Sequence, residues 1–293
     1  GLWIRNKTED GVRCDTTMCD ACMTIWRETG YRINQQLSAQ EKAIMEEAEA
    51  KKKKNKRVKR HRYAKEQSDN HVGAQGSIDD AYALAHALGI DIQTISIEPA
   101  FQAYLDMLEP SFLGRDPDLT EENLQSRCRG QILMALSNKF GWMVLTTGNK
   151  SELAVGYFTI YGDSVGGYAV IKDLLKTDVF ALSRHVNDHS GRVIVPESVL
   201  TKPPSAELRP DQRDDQSLPP YEVLDPILEL YVERDLTAAE IVERGHDEDT
   251  VRRIARLVDV NEYKRRQCPP GVRVSPKAFG KDRRLPITNG YRG

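Results

Sequence analysis

From residue 77 onward the apolar positions recur with regular periods. Ala81, Ala83, Leu84, Ala87 and Leu88 fall at helical spacing behind Ser77, a good N-cap, with Asp79 and Asp80 in the first turn and Gly89 ending the run. Residues 91–97 (DIQTISI) alternate and are rich in Ile, which predicts a strand. Pro99 and Ala100 open a second helix carrying Phe101, Tyr104, Leu105 and Leu108. Thr120, followed by Glu121, Glu122 and Asn123, is placed to cap a longer helix toward Lys139. Residues 142–147 (WMVLTT) form a continuous apolar run that suits a buried parallel strand, and a helix is expected around 151–155. This alternation predicts an α/β domain with a parallel sheet.

Residues 1–73 read differently. Residues 41–50 are rich in Ala and Glu, and 51–62 read KKKKNKRVKRHR; both favour helix, but neither offers an apolar stripe wide enough to bury. The first 73 residues carry 16 basic against 11 acidic side chains, whereas 74–293 carry 26 against 33. A charge reversal this sharp predicts a basic, largely disordered or fragmentary segment over 1–73 and a folded domain over 74–293. Only Tyr63 stands beside the basic run, so a base-stacking platform is unsupported and nucleic acid is not the expected partner. A nucleic-acid-binding protein working through 1–73 stays as an alternative, with salt-sensitive DNA binding as its signature.

Composition narrows the class further. No run of 18 apolar residues exists, and Gly1, Leu2, Trp3, Ile4 and Arg5 do not open a secretory signal, so neither membrane nor secretion is expected. Cys14, Cys19, Cys22, Cys128 and Cys268 are odd in number and unevenly spaced, which argues for reduced thiols and a cytoplasmic protein. Cys19, Asp20, Ala21 and Cys22, with Trp3, Gly11 and Trp26, resemble the second half of a GATA-type zinc finger. Such a finger needs a further Cys-x2-Cys pair upstream, so tight zinc binding is not expected.

In parallel sheets ligands gather beyond the carboxyl ends of the strands, which directs attention to the residues after 142–147. There Gly148, Gly156, Gly162, Gly166 and Gly167 alternate with hydroxyls and charges in a backbone-rich stretch able to approach phosphates.

At this point the motifs become specific. TTGNKSE at 146–152, YGDSVGG at 161–167, LTKPPSAELRPDQRDDQSLPPYEVLDPIL at 200–228 and EYKRRQCPPGVRVSPKAFGKDRRLPI at 262–287 resemble the NAD synthetases in their glutamine-dependent form. The resemblance runs over about 76–292. It implies an adenine nucleotide alpha hydrolase-like, doubly wound parallel sheet with a helical C-terminal part. It also implies a carbon–nitrogen ligase that uses ATP and Mg2+ to adenylate deamido-NAD. Ammonia, or glutamine acting through a separate amidase domain, then completes NAD, and the family forms homodimers. Residue by residue, the resemblance implies ATP contacts at Thr147, Lys176 and Ser205. It implies deamido-NAD contacts at Asn123, Arg127, Glu152, Tyr263 and Lys264, with Glu152 beside Mg2+.

The sequence departs from the family at one place. The family's pyrophosphate loop, Ser-Gly-Gly-x-Asp-Ser, follows its first strand, and this sequence contains no Ser-Gly-Gly. Residues 76–80 (GSIDD) look like it only superficially. The expected sheet is therefore incomplete, lacking its first strand and loop, and activity of the chain by itself is expected to be weak or nil. A non-catalytic nucleotide-binding fragment is the corresponding alternative.

Overall fold

A computed structural model of the chain describes residues 71–208 and 212–288. The chain divides into two units, Gly1–Ser68 and Asp69–Gly293. The first unit, with the cysteine cluster, the GATA-type resemblance and the basic run, lies outside the described residues.

In the second unit the order is α1 (His71–Leu88), α2 (Glu98–Leu108), α3 (Leu119–Phe140), β1 (Leu145–Thr146), α4 (Lys150–Val155) and β2 (Tyr168–Ala169). There follow α5 (Lys176–Ser190), α6 (Glu197–Thr201), a 3-10 turn (Asp214–Gln216) and α7 (Tyr221–Leu228), which runs on as a π-helical turn (Glu229–Glu233). The chain then forms α8 (Ala238–Val242), α9 (Glu248–Val260) and α10 (Glu262–Arg265).

Local chemistry sets most of these boundaries. Asp118, rather than Thr120, caps α3: its carboxylate accepts from the Thr120 N–H at 2.7 Å, and Glu121 reaches back to the Asp118 N–H at 2.8 Å. The same helix stops at Gly141, whose left-handed backbone (φ 70°) suits glycine. Asn149 and Glu152 form an equivalent reciprocal cap at the start of α4. Ser77 is not a cap, because α1 already runs as helix from His71 and Ser77 sits in its interior. Its hydroxyl instead contacts Glu207 and Lys202.

The two expected strands are corrected most. Residues 91–97 form no strand, and Ile92 and Ile95 are exposed. A strand needs a neighbour for its amides and carbonyls, and the described residues place none beside this segment. Of 142–147 only Leu145–Thr146 pairs, in parallel with Tyr168–Ala169, Leu145 opposite Tyr168 and Thr146 opposite Ala169. Trp142, Met143 and Leu145 are exposed rather than buried, as for a strand covered on one side only.

The core accordingly sits among the helices. Leu224, Ile227 and Leu228 of α7 meet Ile241 of α8, Val251, Ile254 and Val258 of α9, and Ala154 and Val155 of α4, all of them buried. The apolar period of α9 and the short, wholly apolar face of α4 are what fit these helices together. This helical body holds the start of α4 in place, beside the carboxyl end of β1. Among the described residues, no helix is long and apolar enough to cross a membrane.

Candidate functional site

The reciprocal cap of α4 does two jobs at once. Glu152 Oε2 accepts from the Asn149 N–H at 3.2 Å, which leaves Oε1 to meet Lys176 Nζ at 2.9 Å. Lys176 is the first residue of α5, and its ammonium also lies 5.5 Å from the centre of the Tyr221 ring. Both charged groups remain about one-fifth exposed, so the pair is open to a ligand and is not a sealed core contact.

A second group gathers on the loop that follows α4. Asn123 Oδ1 accepts from the Thr159 hydroxyl at 2.7 Å, and Arg127 Nε donates to the Ile160 carbonyl at 3.2 Å. Lys264 Nζ donates to the carbonyls of Gly156 and Phe158 at 2.8 and 3.0 Å. Burial pulls the Lys264 ammonium below its ordinary value; Asp163 nearby opposes the shift, and the Arg127 charge adds to it. Asp163 itself accepts from Ser126 and from the Thr159 N–H at 3.0 and 2.8 Å. Helix α3 comes this close because Gly130 has no side chain: a Cβ there would stand 2.6 Å from the Tyr161 carbonyl oxygen. Gly156 (φ 74°) allows the turn out of α4 in the same way, against the Asn261 side chain.

Glu152 of the first group lines a narrow cleft with Thr146, Gly148 and Cys268, and with Phe158 and Asp163 of the loop that the second group holds; Lys176, Asn123, Arg127 and Lys264 stand outside its lining. Five of the sequence-predicted residues thus fall into two adjacent sets, Glu152 with Lys176, and Asn123 with Arg127 and Lys264. Three do not join them. Thr147 is exposed, and its neighbour Thr146 lines the cleft instead, since successive strand residues point to opposite faces. Tyr263 is exposed beside Lys264. Ser205 accepts from the Glu207 N–H at 3.0 Å in the loop after α6. The superficially loop-like 76–80 lies inside α1, where its amides are spent on the helix.

Several residues of this region were not singled out from sequence. Lys150 is almost fully buried, and its ammonium meets Asp173 at 3.0 Å, Glu233 and Ser275 at 2.6 Å each, and the Lys277 carbonyl at 2.9 Å. Burial disfavours the charge on Asp173, but the N–H groups of Ser275 and Val274, with Lys150, outweigh it and hold the carboxyl below its ordinary value. These contacts bind the stretch 271–283 to α4. Asp225, Ser151 and Thr177 form a further network. The signal was present in part, because Lys150, Ser151, Asp163 and Asp225 all lie inside the motifs quoted above.

Cys268 lines both the cleft and a larger groove of about 510 Å³ formed mainly by residues 262–284. Burial pushes its thiol up to about 11, against the pull of Lys172 beside it. At pH 8 the thiolate fraction is then small, and alkylation by iodoacetamide is expected to run more than about a hundredfold slower than for a free cysteine. Mass-spectrometric labelling rates check this; a rate within about threefold of free cysteine would contradict the burial argument.

Among the described residues no set of three or more His, Cys, Asp and Glu side chains is placed to hold a metal ion. Mg2+, however, uses only one or two carboxylates when substrate phosphates supply its other ligands. Glu152, partly exposed and with Asp163 lining the same cleft, fits that role.

Comparison with known proteins adds a consistent picture. The family model described as NAD synthase matches residues 67–268. The chain is 56% identical over 216 residues to a glutamine-dependent NAD(+) synthetase of Thermotoga maritima, covering 74% of this chain and 38% of that protein. It is 57% identical over 217 residues to the protein of the same name from Xanthomonas campestris pv. campestris, covering 74% and 39%. A solved glutamine-dependent NAD(+) synthetase from Cytophaga hutchinsonii shares the fold, with a TM-score of 0.59, 22% identity, and coverage of 72% of this chain and 36% of that one. The chain therefore spans about two-fifths of the length of the curated relatives it matches.

Proposed function

This chain belongs to the NAD synthase family, and from that premise we propose that residues 74–293 are the ligase part of an ATP-dependent enzyme that amidates deamido-NAD to NAD. The observation that carries the reading is the cleft at the carboxyl end of β1. Glu152, paired with Lys176, lines it together with Phe158 and Asp163, and the loop carrying those two is the one that Asn123, Arg127 and Lys264 hold. Arg127 and Lys264 supply the positive charge that a dinucleotide pyrophosphate requires, and Arg127 keeps guanidinium N–H groups free of its single bond to Ile160. Lys176 offers a charge to the phosphates of ATP, and Glu152 is the residue that would hold Mg2+. When bound, Mg2+ neutralises phosphate charge and so eases departure of pyrophosphate. Thr147 and Ser205 belong to the ATP contacts in this reading, and Tyr263 to the dinucleotide contacts.

The chemistry asked of the protein is mainly positioning. A nicotinate carboxylate is a poor electrophile until it is adenylated, and ammonia then displaces AMP. The residues around the cleft hold the dinucleotide, orient its carboxylate toward the α-phosphate of ATP and shield the acyl-adenylate, a mixed anhydride, from water. Ammonia reaches the chain as such or from glutamine through a separate amidase domain. The alternative of a nucleic-acid-binding protein draws no support from the cleft.

Calorimetric titration of deamido-NAD tests the reading. The chain is expected to bind the dinucleotide, and Arg127→Ala to weaken it about tenfold or more, the loss of one charge-assisted pyrophosphate contact. Equal affinities of the two proteins, or no binding by either, would overturn it.

A further inference from the structure

The geometry points to Asp225 as a positioning residue that sets Lys176 against Glu152, an inference that rests on reading this pair as part of the ligase site. The argument begins at the start of α5. A helix leaves its first amides without partners, and a side chain at the N-cap commonly satisfies one of them. Here the N-cap is Leu175, which has no such side chain. The partners come from elsewhere in the fold: the Lys176 N–H donates to Ser151 Oγ at 2.9 Å, and the Thr177 N–H donates to Asp225 Oδ2 at 2.8 Å. The Thr177 hydroxyl donates to the same oxygen at 2.8 Å. The Ser151 hydroxyl donates to the other oxygen, Oδ1, at 2.5 Å.

One carboxylate thus grips two helices. Ser151 precedes Glu152 on α4, and Thr177 follows Lys176 on α5, so each grip lies one residue from a member of the pair. Asp225 stands on α7, whose neighbouring Leu224, Ile227 and Leu228 are buried in the core, and Asp225 itself is only 2% exposed. The anchor is therefore as rigid as the core. Its negative charge also sits at the positive end of α5, where the helix dipole favours it. A buried carboxylate is costly, and burial holds the Asp225 carboxyl above its ordinary value, while the donors from Ser151 and Thr177 oppose that shift. An apolar side chain would cap nothing here and would let α5 shift relative to α4. The 2.9 Å separation of Lys176 from Glu152 is the quantity that Asp225 controls.

Lysine accessibility provides the test, because it needs no turnover and contains its own control. The full chain is labelled with trace acetic anhydride, and the rates at individual lysines are read by mass spectrometry. Asp225→Ala is expected to speed acetylation of Lys176 about tenfold, the factor lost with one charge-assisted contact, and to match Glu152→Gln. The double variant is expected to gain nothing further. Asp225→Asn, which keeps one acceptor oxygen, should fall between. Lys150, buried in its own network, stays slow as long as the fold is intact. Unchanged Lys176 with slow Lys150 overturns the proposal. Should Lys150 also speed up in Asp225→Ala, the double variant Ser151→Ala with Thr177→Val decides. It removes the gripped hydroxyls and keeps Asp225; faster Lys176 in it supports the proposal, and an unchanged rate overturns it. Failure of deamido-NAD to bind would overturn the ligase reading alone and leave these rates unaffected.

Discussion

Ammonium, Mg2+-ATP and deamido-NAD incubated with this 293-residue chain are expected to release pyrophosphate at least about 100-fold more slowly than an ordinary ligase turns over. The reason lies in what must receive the leaving group. Glu152, Lys176, Arg127 and Lys264 offer charge, but a departing pyrophosphate also needs backbone donors fixed in advance. The sequence holds no Ser-Gly-Gly, and the stretch 76–80 that resembles such a loop lies within α1, its amides committed to the helix. Losing one preorganised donor commonly costs about 100- to 1000-fold in rate, and here a whole loop of donors is at issue. Excess ammonium supplies the nitrogen directly, so want of an amidase partner does not explain a low rate. A turnover of about 1 per second would mean that another segment forms the phosphate cradle.

The largest expected loss of stability follows from Lys150. Its ammonium is held by Asp173, Glu233, Ser275 and the Lys277 carbonyl in a nearly dry environment. Lys150→Met removes the cation and leaves Asp173 and Glu233 facing each other without it. Breaking a buried pair in this way commonly costs about 3–5 kcal/mol. For a domain of this size that corresponds to a fall in melting temperature of about 10 °C. Replacing the carboxylates together with the lysine, as Lys150→Met with Asp173→Asn and Glu233→Gln, should recover much of the loss, because no uncompensated charge then remains. Thermal melts of the two variants check this. A fall below about 2 °C for Lys150→Met would show that water reaches the network and that it is not sealed.

The same network ties the C-terminal stretch to the cleft. Lys150 precedes Ser151 and Glu152, and through Ser275 and Asp173 it fixes the loop that covers this end of α4. A loosened Lys150 site is therefore expected to disturb the Glu152 cap as well. The lysine-labelling rates at Lys176 report this directly.

What the sequence determined alone was whatever depends on neighbours a few residues apart. Helices at 98–108, 119–140 and 150–155 follow from local spacing, proline placement and caps, since helical hydrogen bonds close within one turn. The acidic first turns placed the start of α3 to within a residue or two, although Asp118 and not Thr120 turned out to hold it. The motifs that carry the family resemblance were equally legible, and the resemblance brought with it the expectation of ligand contacts at Glu152, Lys176, Asn123, Arg127 and Lys264. Tertiary structure decided what depends on distant parts of the chain. Residues 91–97 alternate as a strand should, yet pairing requires a partner, and none of the described residues lies alongside. Tyr168–Ala169 is too short to show any period, and became a strand only because Leu145–Thr146 runs beside it. Asp225 and Lys150 look in the sequence like ordinary charged residues, because their partners lie 23 to 127 positions away. Burial and partnership of charge arise only when those segments meet, which is why the fold and not the motif set the geometry of the site.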